Sequence, residues 1–253
     1  HYERMCVVLR MNAGDFDFAR RRLAELKVEA DKLQLHARKA VEAIDWGELM
    51  RQTADITPFA PQFARGLAID VSDNPNVLAS KLRSMVGFGL LDEARTALEA
   101  LPVSSLHKLP KSRDYLATLS QLALASVATR ALDHVSVLYE LLAPYPSFCV
   151  AALSMHCHGV VSHFLALLAR ARGDRERARR HFEQALADQE RLGLQPQLAR
   201  SRYELAVMLA EGSERREREQ SRALLGQVSS VATRLGMQPL RAAADQLAAT
   251  LAP

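Results

Sequence analysis

The densest set of reactive side chains lies between residues 149 and 163, where Cys149, His156, Cys157, His158, Ser162 and His163 follow one another closely. Imidazoles and thiolates are the ligands zinc prefers, but zinc needs four of them converging tetrahedrally. Read as helix, His156, Cys157 and His158 diverge by about 100° per residue and point to three sides. Only His156 and His163, seven residues apart, could share a face. The set is therefore expected to be structural, and no metal ligand is assigned. Ser162 and His163 are neighbours without a G-x-S-x-G elbow, so serine hydrolysis has no support. No G-x-x-x-x-G-K-[ST] loop occurs, and Gly87-Phe88-Gly89 is too short for a dinucleotide fingerprint. A non-enzymatic chain with no cofactor is the expectation.

A second chemical feature is charge. Arg170, Arg172, Arg175, Arg177, Arg179 and Arg180 stand against Asp174 and Glu176. That local excess of four equals the net charge of the whole chain, +4 from 33 basic and 29 acidic residues. No aromatic residues are interleaved to stack on bases. A solvated rim is expected, with a polyanion or nucleic acid bound by the Arg170–Arg180 tip as the alternative. Three cysteines without a C-x-x-C pair suit reduced thiols and a cytoplasmic setting. The apolar stretch from Phe148 to Ala169 is broken by three histidines and does not read as a membrane span. The chain opens His1-Tyr2-Glu3, with neither an initiator Met nor a signal peptide, and reads as part of a longer polypeptide.

The elements that carry these residues are helices. Of 253 residues, 49% are hydrophobic but only 6% aromatic. The apolar content is dominated by Ala and Leu, which favour helix. Arg191-Leu192-Gly193-Leu194-Gln195-Pro196 returns as Arg234-Leu235-Gly236-Met237-Gln238-Pro239, 43 residues later. In each copy Gly would cap one helix in the left-handed conformation and Pro would open the next. A turn followed by a small residue and helically spaced apolar residues recurs around Ala19, Ala94, Val135, Ala178 and Ser221. Those positions are spaced by 75, 41, 43 and 43 residues. Strand signals are nearly absent, and the breakers Pro58, Pro61, Pro75, Pro102, Pro110, Pro144, Pro146, Pro196 and Pro239 fall between hairpins. The expectation is all-α: about twelve helices in antiparallel pairs, an α-solenoid. It forms a single helical-repeat domain over 1–253. Residues 1–75 are a less regular N-terminal part, most irregular over 33–75 around Trp46-Gly47-Glu48, Pro58 and Pro61; residues 76–253 are regular.

The unit at 160–187 resembles a tetratricopeptide repeat, with Leu165-Ala166, the Gly173-Asp174 turn, and Ala178, Phe182 and Ala185 at its signature places. Leu138–Tyr145, Gly159–Leu165, Ala178–Leu186, Arg191-Leu192-Gly193 and Leu198-Ala199-Arg200 together resemble a tetratricopeptide-like (MalT/LuxR-type) region. Such regions belong to large bacterial signalling ATPases of the AAA or STAND type. The resemblance covers about residues 75–250. It implies a superhelical module for signal transduction or transcription regulation that binds a peptide, a protein or a small effector. It also implies a neighbouring ATPase or output domain, such as a nucleotide cyclase, kinase or helix-turn-helix, outside these residues. In such superhelices the first helix of each pair lines the concave face. Carried over by position, that rule places Gln121, His163, Phe164, Arg170, Arg200, Tyr203 and Glu204 there as candidate partner-binding residues.

Overall fold

The computed structural model describes residues 2–32, 39–56, 60, 74–152 and 156–251. Most of the irregular stretch expected over 33–75, with Pro58 and Pro61, lies outside them, as does Met155. The chain is mostly helical. Helices α1 (Tyr2–Ala13), α2 (Phe16–Lys32) and α3 (Lys39–Thr53) are followed by α4 (Pro75–Gly87), α5 (Leu91–Glu99), a 3₁₀ segment (Val103–Lys108), α6 (Tyr115–Thr129) and α7 (Leu132–Leu142). Strands β1 (Cys149–Ala152) and β2 (His156–Val160) pair as a two-stranded sheet. Helices α8 (Val161–Ala171), α9 (Arg175–Arg191), α10 (Gln195–Ala210), α11 (Arg215–Leu235) and α12 (Gln238–Thr250) complete the chain. The strands correct the expectation of helix around the His–Cys set. Gly159 sits at φ 111°, outside the helical region, and Val150 and Val160 are buried from extended backbone.

One turn recurs and fixes the helix ends. At residues 14, 89, 130, 173, 193 and 236 the backbone is left-handed, with φ between 59° and 90°. In each case that residue's N–H bonds the carbonyl three back, and the next N–H bonds the carbonyl five back relative to itself, as Gly173 to Arg170 and Asp174 to Ala169. This double bond closes the helix and satisfies two carbonyls that would otherwise be orphaned. Five of the six residues are Gly; the exception is Arg130. In two turns an Asp follows the Gly and caps the next helix: Asp15 Oδ1 accepts from the Phe18 N–H at 3.2 Å and Asp174 Oδ1 from that of Arg177 at 3.1 Å. Pro75, Pro196 and Pro239 open α4, α10 and α12, where a missing N–H costs nothing. All five small-residue positions, Ala19, Ala94, Val135, Ala178 and Ser221, are 0% exposed.

By its internal contacts the chain divides into two compact units. One compact unit comprises residues 1–55, 153–157 and 189–253; the other comprises 56–152 and 158–188. In the second unit the first helices of successive hairpins touch, α4 with α6 and α6 with α8, while α5 and α7 pack behind them. Hydrogen bonds join positions 41 or 42 residues apart. Ser80 donates to Gln121 Oε1 at 3.0 Å, Thr118 donates to Asn76, and Tyr139 meets His181 Nε2 at 3.0 Å. Leu82, Leu98, Leu119, Leu122, Leu138 and Leu165 fill the core. Helix α8 is buried over Val161–Ala169 without a break, the polar Ser162 and His163 included.

In the first unit, α1 and α2 form a hairpin. α1 packs on α10, α3 packs on α2 and α12, and α10, α11 and α12 pack on one another. Val7, Met11, Phe16, Leu23 and Leu26 from the N-terminal helices share a core with Ala206, Leu225, Val228 and Leu240. The approach is close enough that a Cβ on Gly14 would lie 3.0 Å from both Leu235 methyls.

Candidate functional site

The most chemically dense place in the first unit is a buried polar core built by α1, α3, β2 and α10. On α3, Asp45, Glu48, Leu49 and Gln52 fall at i, i+3, i+4 and i+7, so they form one stripe. All four are buried. Asp45 is 1% exposed and His156 3%. The Arg4 guanidinium grips the Asp45 carboxylate twice, Nε to Oδ2 at 2.6 Å and Nη2 to Oδ1 at 2.8 Å, and His156 Nε2 bonds Oδ1 at 2.8 Å. Burial works to raise the Asp45 pKa, but the bonds and charges of His156 and Arg4 outweigh it and hold the group below its ordinary value. A bidentate guanidinium pair with a third bond to the same carboxylate is an arrangement in which a buried carboxylate remains ionised.

A second ring of bonds surrounds this centre. Glu48 accepts from Gln52 Nε2 and from Arg51 Nη2, each at 2.9 Å. Arg200 reaches from α10 to Gln52 Oε1 at 3.0 Å and to the Arg51 carbonyl at 3.3 Å. The extended backbone of Cys157 is held from both sides. Its N–H donates to Asn12 Oδ1 at 3.1 Å, and its carbonyl accepts from Gln197 Nε2 at 2.6 Å. Two side-chain amides thus replace the neighbouring strand that β2 lacks there. Asn12, Glu48, Gln52, His156, Cys157 and Gln197 enclose a cavity of ≈ 10 Å³, about enough for one water molecule. Gln197 Oε1 is buried with no protein partner, so a water donor in that cavity is its natural complement. The arrangement holds the Cys157 backbone and the Arg4–Asp45–His156 cluster in place.

The seven residues expected on a concave face fall in both units. In the second unit, Gln121, His163 and Phe164 are interior, 4%, 9% and 2% exposed. Gln121 takes the Ser80 hydroxyl, and the His163 ring stands edge-on to Phe164 and Phe182 at 5.2 and 6.3 Å. Arg170, at the end of α8, is half-buried. In the first unit Arg200, Tyr203 and Glu204 are half-buried on successive turns of α10, with Tyr203 against the apolar core. The structure adds Arg4, Asn12, Asp45, Glu48 and Gln197 to the site. The stripe at 45, 48, 49 and 52 was the available signal, disguised because three of its four members are polar.

The His–Cys set disperses. His156 serves Asp45, Cys149 is exposed and Cys157 is buried, and all three cysteines are free thiols. Among the described residues no group of three or more His, Cys, Asp or Glu is placed to hold a metal ion, and no helix is long and apolar enough to cross a membrane. At the Arg170–Arg180 tip, Arg177 pairs with Asp174 at 3.1 Å, Arg179 with Glu183 at 3.2 Å, and Arg180 with Glu176. Arg172 lies over the Tyr139 ring, 5.0 Å from its centroid. Much of the tip's charge is therefore already engaged. Comparison with protein-family models, with curated proteins and with solved structures returned no match.

Proposed function

We propose that the chain is a superhelical, tetratricopeptide-like module that acts by binding an extended segment of polypeptide, as part of a bacterial signal-transduction or transcription-regulatory protein. The architectural part of this reading is supported by the recurrence of one turn at spacings of 41 and 43 residues and by the hydrogen bonds between positions 41 or 42 residues apart. Stacked repeats of this kind present long surfaces to partners. The functional part takes its pattern from one contact within the chain: Asn12 and Gln197, from two different helices, hold the N–H and the carbonyl of the chain's own buried Cys157 in extended conformation. Helix-borne amides that replace a missing strand recognise main chain independently of sequence, and side chains nearby then select among peptides. Tyr203 and Glu204 on α10 are the selecting residues in this reading, and the polyanion alternative would have to break the pairs at the Arg170–Arg180 tip.

The test is selection from a random peptide library displayed on phage against the purified protein. The reading requires enriched peptides whose synthetic forms bind at micromolar levels and lose at least about tenfold in affinity in Tyr203→Ala or Glu204→Ala. It is overturned by a library that yields nothing above the blank surface, or by peptides indifferent to both variants.

A further inference from the structure

The turn after α10, the start of α11 and the end of α12 surround an open cleft of ≈ 590 Å³ in the first unit. That volume is in the range of small-molecule sites, roughly 300–1,000 Å³. Its chemistry is set by Arg218 and Arg222. They are four residues apart on one helix, hence side by side, with Cβ atoms about 5–6 Å apart. Arg218 Nη2 touches only the Ser213 carbonyl, at 3.5 Å, and Arg222 touches the Leu251 carbonyl. Neither guanidinium meets a carboxylate among the described residues. Their neighbour Arg215, which does not line the cleft, is neutralised by Glu219 at 2.8 Å. Each guanidinium carries five N–H donors in a fixed fork, so most of the donors at this cleft are uncommitted. One acid, Glu211, lines the same walls, which leaves the cleft net positive. The Ser213 hydroxyl adds a donor for an oxyanion, while the Thr250 hydroxyl, which donates to the Leu247 carbonyl at 2.7 Å, can accept from the polar body attached to one.

We propose that this cleft binds a small organic molecule through an oxyanion group, a phosphate monoester or a carboxylate, held between Arg218 and Arg222. A planar fork matches two oxygens of either group at once, and two adjacent forks can share one anion. The cleft is several times larger than an anion alone, which leaves room for an organic body attached to the oxyanion. This inference does not depend on the peptide-binding reading and concerns different residues.

Titration calorimetry with phenyl phosphate and with phenylacetate tests it on the purified protein. Saturable one-to-one binding is expected for at least one probe, weakened about tenfold or more by Arg218→Ala and by Arg222→Ala. Both arginines are exposed, so the variants should retain the circular dichroism and melting behaviour of the parent. Glu211→Gln should strengthen binding, because it removes the one opposing charge on the cleft wall. Tighter binding of phenyl phosphate identifies the ligand group as a phosphate monoester, and tighter phenylacetate identifies a carboxylate. The inference fails if neither probe binds, or if binding survives the Arg218→Ala/Arg222→Ala double variant unchanged.

Discussion

Replacing Arg130 with glycine should make the protein more stable, although it deletes the longest side chain at that turn. Arg130 sits at φ 59°, ψ 35°, where five equivalent turns have glycine. A residue with a Cβ loses roughly 1–2 kcal/mol in that left-handed conformation. Glycine in turn gives up roughly 0.5–1 kcal/mol more backbone entropy on folding. The difference favours Arg130→Gly by about 0.5–1 kcal/mol, and among the described residues the exposed side chain makes no hydrogen bond or ion pair whose loss would offset it. The reverse substitutions calibrate the argument. A Cβ added at Gly173, Gly193 or Gly236 would meet no atom within 4 Å. Alanine there carries the conformational term alone, and each should cost about 0.5–1 kcal/mol. Gly14→Ala has the same backbone cost and also drives a Cβ to 3.0 Å from the Leu235 methyls, so it must cost more than the other three. Urea unfolding followed by far-ultraviolet circular dichroism measures all five. A destabilised Arg130→Gly, or a Gly14→Ala no worse than Gly173→Ala, would refute the reasoning.

Asp45→Asn should destabilise the protein by about 3–5 kcal/mol near neutral pH, the usual result of breaking a buried ion pair. Because the folded pKa of Asp45 is depressed, its contribution is present above the unfolded value of about 3.9 and is lost as pH falls through the folded pKa. The gap between wild type and variant in urea midpoint should therefore shrink toward pH 3, and a constant gap would contradict an ionised Asp45 held by Arg4 and His156. The His181 imidazole is held below its ordinary pKa by burial and then by Arg180 and Arg177, so the folded state favours the neutral ring. Its stabilising contribution is present above about pH 6.5 and lost as pH falls below it. Thermal melts at pH 7.5 and 5.5 should differ less in His181→Gln than in wild type. Neutralising Arg177, Arg179 and Arg180 together with their partners Asp174, Glu183 and Glu176 keeps the net charge at +4 and should leave retention on a heparin column nearly unchanged; a large loss of retention would favour the polyanion alternative.

What the sequence disclosed was local. Gly193 and Gly236 with their prolines, the Gly-Asp turns at 14 and 173, and the small positions from Ala19 to Ser221 each act through their immediate neighbours. Their spacing therefore mapped directly onto helix ends and seams. Arg130 occupies a glycine's place, so one turn was visible only through the repeat spacing around it. The β1–β2 pair was missed because Ala, Cys and His carry weak preferences and the segment lies between strong helices. The polar core was missed for a different reason. Asp45, Glu48 and Gln52 have the periodicity of a buried face but the residue types of an exposed one, and only partners more than 100 residues away, His156 and Arg200, reverse that assignment. No periodicity announces such pairings. The same non-locality explains why Gln121, His163 and Phe164, placed by position within a repeat, proved interior.

The interrupted make-up of the first unit bears on how the protein is made. A ribosome delivers residues 1–55 and must then synthesise more than 130 further residues before residue 189 appears, a wait of roughly 7–27 s at ordinary elongation rates. During that interval Val7, Met11, Phe16, Leu23 and Leu26 have been produced without Leu225, Val228 and Leu240, the residues that later share their core. The segments of the second unit are complete by residue 188 and can condense first. Nascent α1–α3 is therefore the part of this chain that most needs a chaperone's cover, and the part at which slow translation downstream would do the most harm.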